Sequence, residues 1–394
     1  MNRINVYFRL NGHPLIHLLI VITGIFLLVY ALLIFYYHRI WDQIPALFDP
    51  SDSPAHATTI SVSVIIPARN EFMRIGNCLD SLFIQSYPKE YTEVIVVNDY
   101  STDGTAAVVL EHKMTTKLIN LSDYISGNLN SYKKKAIETG IAHSSGELII
   151  CTDADCTMGS EWIKTIVSFY ENEKMHFIAA PVKIIPDGSW LSIFQSLDFI
   201  SLQGITGASV YKNLYPMCNG ANLAYTRKAY DTVGGFSDID HIASGDDMLL
   251  MNKIQSAFPG KTGYIKDLHA IVNTEPAENI KEFLRQRIRW ASKISHYKHG
   301  ATFLTLALVF LVNFCLILLF ISCFFFGHWK WLLILIAFKT ISEYFFVSKV
   351  ARFFQQQSLM KYFPLCQPFH ILYTVIAGSF GSFGKYEWKN RKVK

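Results

Sequence analysis

Apolar and polar positions divide this chain into regions of different period. Residues 15–37 form a run of 23 without Asp, Glu, Lys or Arg. At 1.5 Å per helical residue, that run is long enough to cross a hydrocarbon core of about 30 Å. It is too long for a signal-peptide core, and no small-residue cleavage site clearly follows. Residues 1–40 are therefore read as a retained anchor. A linker over 41–59 follows and contains the polar stretch DPSDSPAHATT at 49–59. Short β-branched runs then alternate with helical patterns. Strands are expected at 61–66, 93–97, 147–151 and 176–185, and helices at 74–85, 133–143 and 160–172. Such alternation predicts an α/β domain over 60–277, a mostly parallel sheet with helices on both faces. Its length suffices for one sizeable core.

The period then becomes helical and amphipathic over 278–296. Ile280, Phe283, Leu284, Ile288, Ala291 and Ile294 supply the apolar positions, while Lys281, Arg285, Arg287 and Lys293 are expected to snorkel outward. A basic amphipathic helix directly before an apolar span reads as interfacial, so 278–300 is assigned to the membrane surface. Apolar stretches follow at 303–326 and 329–350, with a weaker one at 363–383, giving a C-terminal region over 301–384 of two or three spans. Lys339 and Glu343 stand four residues apart in the second stretch and are expected to pair inside a bundle. The weak stretch holds Pro364, Pro368, His370 and several glycines, so it is a third span, a re-entrant segment or one lying along the interface. The re-entrant reading leaves the basic tail 385–394 cytosolic, as the positive-inside tendency favours.

Composition narrows the partners. Of the 394 residues 51% are hydrophobic, and that excess concentrates in the apolar stretches. The net charge is +5, with much of the excess in Lys385, Lys389, Arg391, Lys392 and Lys394 and around 285–293. No long basic stripe with interleaved aromatics occurs, so anionic membrane lipids are expected as partners and nucleic acid is not. Seven cysteines lack any Cys-x-x-Cys spacing, which points to reduced thiols in a cytosol-facing domain. Cys151 and Cys156 flank an Asp-x-Asp, which leaves a zinc site as a minor alternative.

The candidate chemistry lies in clusters of fixed order: VIIPARNE at 64–71, VVNDYSTDGT at 96–105, Asp153-Ala154-Asp155, Asp246-Asp247, and Gln286-Arg287-Ile288-Arg289-Trp290. Open α/β sheets bind ligands at the carboxyl ends of their strands. An Asp-x-Asp there suits Mg²⁺ or Mn²⁺, and such a cation suits a diphosphate. Pro67 is expected to stop the ladder and turn the chain over the sheet edge. Asp99 offers an acceptor for an imide N–H such as that of uracil. Asp246-Asp247 precedes a helical run, so it reads either as an N-cap or as a general base. In MCNGANLAY at 217–225, Asn219, Gly220 and Asn222 offer polar groups and close backbone approach, although Asn-Gly is also an ordinary turn. Trp290 either anchors the helix at the headgroup level or stacks on an acceptor.

In this order the segments resemble those of family 2 glycosyltransferases with the GT-A fold, over about 61–290. The resemblance implies inverting transfer from a nucleotide-sugar donor, UDP-linked rather than GDP-linked, with a divalent cation, Mg²⁺ or Mn²⁺, as cofactor. By position, Pro67, Asn70, Glu71 and Asp99 then belong to the nucleoside pocket, and Lys133 to the donor side. Asp153 and Asp155 match the metal and ribose pair. Asp247 matches the base, beside Asp246, where many relatives have Glu. Gln286, Arg289 and Trp290 match a motif that lies over the diphosphate and the acceptor end, and Asn219 and Asn222 match an acceptor loop. Asn98 departs from the second Asp common at that position. The expectation is a multi-pass membrane enzyme with its catalytic domain cytosolic, at a bacterial-type plasma membrane, adding a sugar to a lipid or lipid-linked glycan. A processive polysaccharide synthase is the alternative. A nucleotidyltransferase would need a glycine-rich basic loop near its start, and 64–71 has no glycine.

Overall fold

The computed structural model describes residues 2–46, 60–125, 130–242, 245–292, 300–381, 386–388 and 391–393. Most of the expected linker, residues 293–299 of the expected interface segment, and Lys385, Lys389 and Lys394 lie outside the described residues. By contact the chain divides into two units. One gathers Asp42–Ser192, Ile205–Pro276 and Lys385–Lys394, the other Met1–Trp41, Ile193–Gly204 and Ala277–Gly384.

The first of these is built on a seven-stranded sheet. Its strands are β1 (Val62–Ala68), β2 (Thr92–Asn98), β3 (Lys117–Asn120), β4 (Leu148–Cys151), β6 (Phe177–Ala179), β8 (Leu223–Thr226) and β9 (Thr262–Tyr264), in the order β3-β2-β1-β4-β8-β6-β9. The first four run parallel. Strand β8 is antiparallel to both β4 and β6, and β6 pairs parallel with β9. A small second sheet joins β5 (Thr157–Met158), β10 (Val272–Thr274) and β7 (Val182–Ile184). Val62, Val64, Ile65 and Ile66 are all buried, a continuous apolar run as expected of a strand covered on both faces. The helices of this unit include α2 (Ile75–Phe83), α3 (Thr105–Glu111), α4 (Tyr132–Ala142), α5 (Trp162–Glu173), α7 (Arg227–Thr232) and α8 (Met248–Ala257).

Two local expectations are corrected. The run at 176–185 is two strands in different sheets, because Ala180-Pro181 breaks it and the Pro181 carbonyl accepts from Val272 N at 3.1 Å. Pro67 does not stop the ladder: it sits inside β1, in register with Val97 of β2, and the strand continues to Ala68. Pairing with β4 has by then ended at Ile65–Cys151, so the N–H that proline lacks has no ladder to feed on that side.

The other unit is helical. It contains α1 (Asn2–Gln43), α9 (Ile280–Ala291), α10 (Gly300–Phe326), α11 (Trp329–Phe353) and α12 (Phe363–Gly381), together with the 193–204 part of α6 (Trp190–Tyr211). By length and composition, three described helices can cross a membrane: Pro14–Gln43, Gly300–Phe326 and Trp329–Phe353. The weak stretch at 363–383 forms the 19-residue α12, with Pro364 in its first turn and Pro368 inside it. The expected Lys339–Glu343 pair is present at 2.6 Å and buried. Lys339 also donates to Gln367 Oε1 at 2.8 Å, and Glu343 accepts from Tyr30 at 2.6 Å and Gln367 at 2.7 Å. Residues of α1, α11 and α12 thus satisfy one another's polar groups where water is scarce.

Candidate active site

The strand order places the four parallel strands so that β1 stands between β2 on one side and β4 on the other. The strand order reverses between β1 and β4, and the crevice beyond their carboxyl ends is where an open α/β sheet holds its ligand. Asp153-Ala154-Asp155 follows β4 directly, Asn98-Asp99 follows β2, and Arg69-Asn70-Glu71 follows β1.

On the β1–β2 side the loops brace one another. Asp99 is buried and its N–H donates to Ala68 O at 2.8 Å. Arg69 Nη1 donates to the carbonyls of Asp99 and Tyr100, at 2.9 and 3.0 Å. Asn70 and Tyr100 both adopt positive φ, 51° and 52°. Asn70 Oδ1 accepts from Thr102 N at 2.8 Å, and Glu71 N donates to Thr105 Oγ1 at 2.8 Å. Asn98, the departure noted above, donates to Asn120 and accepts from Ser101 N at 3.1 Å, so its amide is used inside the loop. Burial would raise the pKa of Asp103, but hydrogen bonds from Thr105 and Phe72 N outweigh it and hold the carboxyl below its usual range.

On the β4 side the charges gather. Lys133, in the first turn of α4, reaches Asp153 Oδ1 at 2.7 Å and Asp246 Oδ2 at 3.3 Å. Burial works against its charge, but Asp153 and Asp246 outweigh burial and raise its pKa, so it stays protonated. Neighbouring groups of α4 hold the segment 239–242: buried Lys134 donates to the carbonyls of Ile239 and Ile242 at 2.6 and 2.7 Å, and Ser131 donates to Asp240 O. Asp247 caps α8, accepting from Met248 N at 2.7 Å. A carboxylate with two oxygens can cap a helix and still take a proton, so the two readings of Asp247 are compatible.

The 217–225 loop closes the cluster. Thr152, just before Asp153, donates to Ala221 O at 2.9 Å. A Cβ on Gly220 would stand 3.1 Å from Asp246 Oδ2 and 3.2 Å from Lys133 Nζ, so a larger residue would press on both side-chain ends. Asn219 accepts from Ala221 N at 3.0 Å and shapes that turn. Asn222 corrects the expectation of an acceptor contact. It is 0% exposed, accepts from Trp162 Nε1 and donates to the carbonyls of Pro181 and Ala270, so its side chain is spent in the core. Cys151 and Cys156 are buried free thiols, and burial pushes the Cys151 pKa up to about 12.

The cation question turns on Asp153 and Asp155. Among the described residues no group of three or more His, Cys, Asp or Glu could hold a metal ion. Two hard carboxylates at a strand end still fit Mg²⁺ or Mn²⁺, which is commonly held by one or two carboxylates plus the phosphates of a substrate.

Gln286, Arg289 and Trp290 lie on α9, in the helical unit. All three are partly exposed, whereas Arg287 is buried and paired to Asp198 at 2.7 Å. The outward snorkelling expected of Arg287 is therefore corrected. Lys133's neighbours Ser131 and Lys134, and Thr152 and Asp198, are structural participants that motif reading missed. A Ser at the N-cap of α4 and a Thr preceding the Asp-x-Asp are weak signals, and Asp198 carries none.

Residues 63–234 match the family model described as Glycosyl transferase family 2. Glycosyltransferase AglE of Haloferax volcanii is 28% identical over 233 residues, 58% of this chain and 71% of that one. A poly-beta-1,6-N-acetyl-D-glucosamine synthase of Staphylococcus epidermidis is 25% identical over 238 residues, 60% of this chain and 55% of that one. The chain thus spans only about half the length of that synthase. Among solved structures, the mannosyltransferase PcManGT from Pyrobaculum calidifontis, in complex with GDP-Man and Mn²⁺, superposes with a TM-score of 0.57 at 18% identity, covering 91% of this chain and 99% of that one. At that identity the likeness establishes a GT-A-like α/β fold.

Proposed function

We propose that this chain, a glycosyltransferase carrying a family 2 domain over residues 63–234, moves one sugar from a nucleotide-diphosphate sugar to a hydroxyl of a lipid or lipid-linked glycan. One observation carries the reading: Lys133 bridges Asp153 and Asp246 at the β1–β4 crevice, with Gly220 against both side chains and Asp247 next in sequence. Asp247 accepts the proton of the acceptor hydroxyl as its oxygen attacks the anomeric carbon. The bond from that carbon to the diphosphate breaks on the opposite face, so configuration inverts and the nucleoside diphosphate leaves with the electron pair. Protonated Lys133 offers a point charge to the diphosphate. Asp99, with Pro67, Asn70 and Glu71, forms the nucleoside side, where a carboxylate can accept an imide N–H. Asp155 with Asp153 would hold Mg²⁺ or Mn²⁺, which when bound supplies Lewis-acid stabilisation of the leaving diphosphate. Asn219 serves the acceptor side, and Gln286, Arg289 and Trp290 serve the diphosphate and the acceptor.

Three helices able to span a membrane support a membrane-resident enzyme. The basic residues around 285–293 and the basic tail support a cytosolic catalytic domain at a bacterial-type plasma membrane. The likeness to the poly-N-acetylglucosamine synthase supports the processive alternative.

Purified protein in lipid, given a panel of UDP- and GDP-sugars with Mn²⁺ or Mg²⁺, is expected to release one nucleoside diphosphate and shift one glycolipid by one sugar mass. A ladder of polymer would establish the processive alternative. No release with any donor, alongside no nucleotide binding, would sink the reading.

A further inference from the structure

The Gln286–Trp290 segment holds two arginines, and their surroundings differ. Arg289 is partly exposed, whereas the side chain of Arg287 is 4% exposed and surrounded. Its Nε and Nη2 both donate to Asp198 Oδ2, at 3.1 and 2.7 Å. Its Nη1 donates to Gln286 Oε1 at 3.0 Å. Its guanidinium lies 4.2 Å from the centroid of the Trp290 ring and 4.8 Å from that of Phe283. Asp198, on α6, is held from its other oxygen by the Tyr373 hydroxyl of α12, with His370 Nε2 3.9 Å away. Phe199, the next residue on α6, stands 6.2 Å from the Trp290 ring.

We propose that Asp198 and Arg287 are positioning residues for sugar transfer, acting through Gln286 and Trp290. A guanidinium can only donate, so Gln286 must turn its carbonyl toward Arg287, and its two amide N–H groups are left to donate elsewhere. Donors so oriented suit a phosphate or sugar hydroxyl oxygen. The plane of the same guanidinium supports the indole, a surface that suits the C–H face of a sugar. Lysine cannot do both tasks, because only the planar fork serves two acceptors while stacking. Stability alone gives little reason for the pair, since well-packed apolar residues replace a buried ion pair at no loss in many folds. The proposal rests on the transferase reading above.

A double-mutant cycle tests it. The parent, Gln286→Ala, Arg287→Lys and the double variant are compared for kcat and KM with the nucleotide-sugar that the parent uses, and for Tm. Arg287→Lys keeps a cation beside Asp198 and is expected to fold while losing roughly tenfold in kcat. If Arg287 acts through Gln286, the double variant is no more than about threefold worse than the poorer single variant. Losses that simply multiply would overturn the proposal and leave Arg287 a structural residue. Should Arg287→Lys fail to fold, Asp198→Glu takes its place, with the same two outcomes. A parent inactive with every donor sinks the transferase reading and this proposal together. An active parent with multiplying losses sinks this proposal alone.

Discussion

Two cation–carboxylate clusters, each within its own unit, differ in their cation and in their hydration. Lys133 with Asp153 and Asp246 is partly hydrated, with side-chain exposures of 23%, 32% and 12%. Arg287 with Asp198 is sealed, at 4% and 2%. The first uses a flexible ammonium that can move its three donors from carboxylate to phosphate. The second uses a rigid fork whose edges and face are all engaged. Removing charge from water costs several kcal/mol per ion unless the partners compensate. The chain bears that cost in full at Arg287 and Asp198 and only in part at Lys133, Asp153 and Asp246. On the proposed reading, the choice of cation and its hydration together distinguish a reacting cluster from a holding one.

The strongest way to break this comparison is Asp247→Asn. Loss of a general base is expected to cut transfer by about 10²–10⁴-fold. Asn is as good an N-cap as Asp, so Tm should hold. Retained transfer would mean that Asp247 only caps α8, and the partly hydrated cluster would lose its reactive reading. The next largest effect is expected at the sealed cluster. Asp198→Asn leaves a buried guanidinium without its counter-charge, which typically costs about 3–5 kcal/mol. A fall in Tm is the readout, and an unchanged Tm would show that the pair is not structurally required. Lys133→Met should behave in the opposite manner. Losing a hydrogen-bonding charge at the diphosphate is worth about 1.5–3 kcal/mol, or roughly 10- to 150-fold in KM for the nucleotide-sugar, with a smaller change in Tm. If Tm collapses while KM holds, the two clusters are alike.

The partly hydrated cluster was largely legible because each of its carboxylates follows a strand or opens a helix, where β-branched runs and turn residues mark the chain. Helices α4 and α5 lie within two residues of their expected positions for the same reason. The sealed cluster was not legible. Helix α6 is apolar on every side with Ser, Gln and Asp interspersed, so no face stands out, although Ser189 caps it and Asp187 accepts from Ser192. Arg287 had a signal that its charge concealed. The spacing Phe283, Arg287, Ala291 is the i, i+4, i+8 spacing of one helix face, and Phe283 and Arg287 are the two buried residues of α9. Asn222 misled in the converse way. A polar residue beside Asn-Gly looked like a loop contact, yet its donors and acceptor all serve the core.

The smallest expected effect lies at neither cluster, and it separates holding from reacting most cleanly. Glu93 stands near the start of β2, at the end of the sheet opposite the site. Its Oε1 accepts from Ser63 Oγ at 2.6 Å, Ser145 N at 2.5 Å and Gly146 N at 3.2 Å, which joins β1, β2 and the turn into β4. Burial raises its pKa, but those hydrogen bonds outweigh burial and lower it overall. A depressed folded-state pKa adds stability that is present above the unfolded value near ~4.3 and is lost as pH falls through the folded value. Glu93→Gln keeps an acceptor but removes the charge. Solvent screening keeps the difference below about 1 kcal/mol, or about 2–4 °C in Tm at pH 7. That difference should shrink as the pH is taken below ~4 and the parent's own carboxylate protonates. At each pH the variant should keep the parent's kcat, since the residue lies at the amino edge of the sheet and the proposed chemistry at the carboxyl edge. A kcat that fell together with Tm would show that the sheet transmits distortion from one edge to the other, and the separation of holding groups from reacting ones would fail.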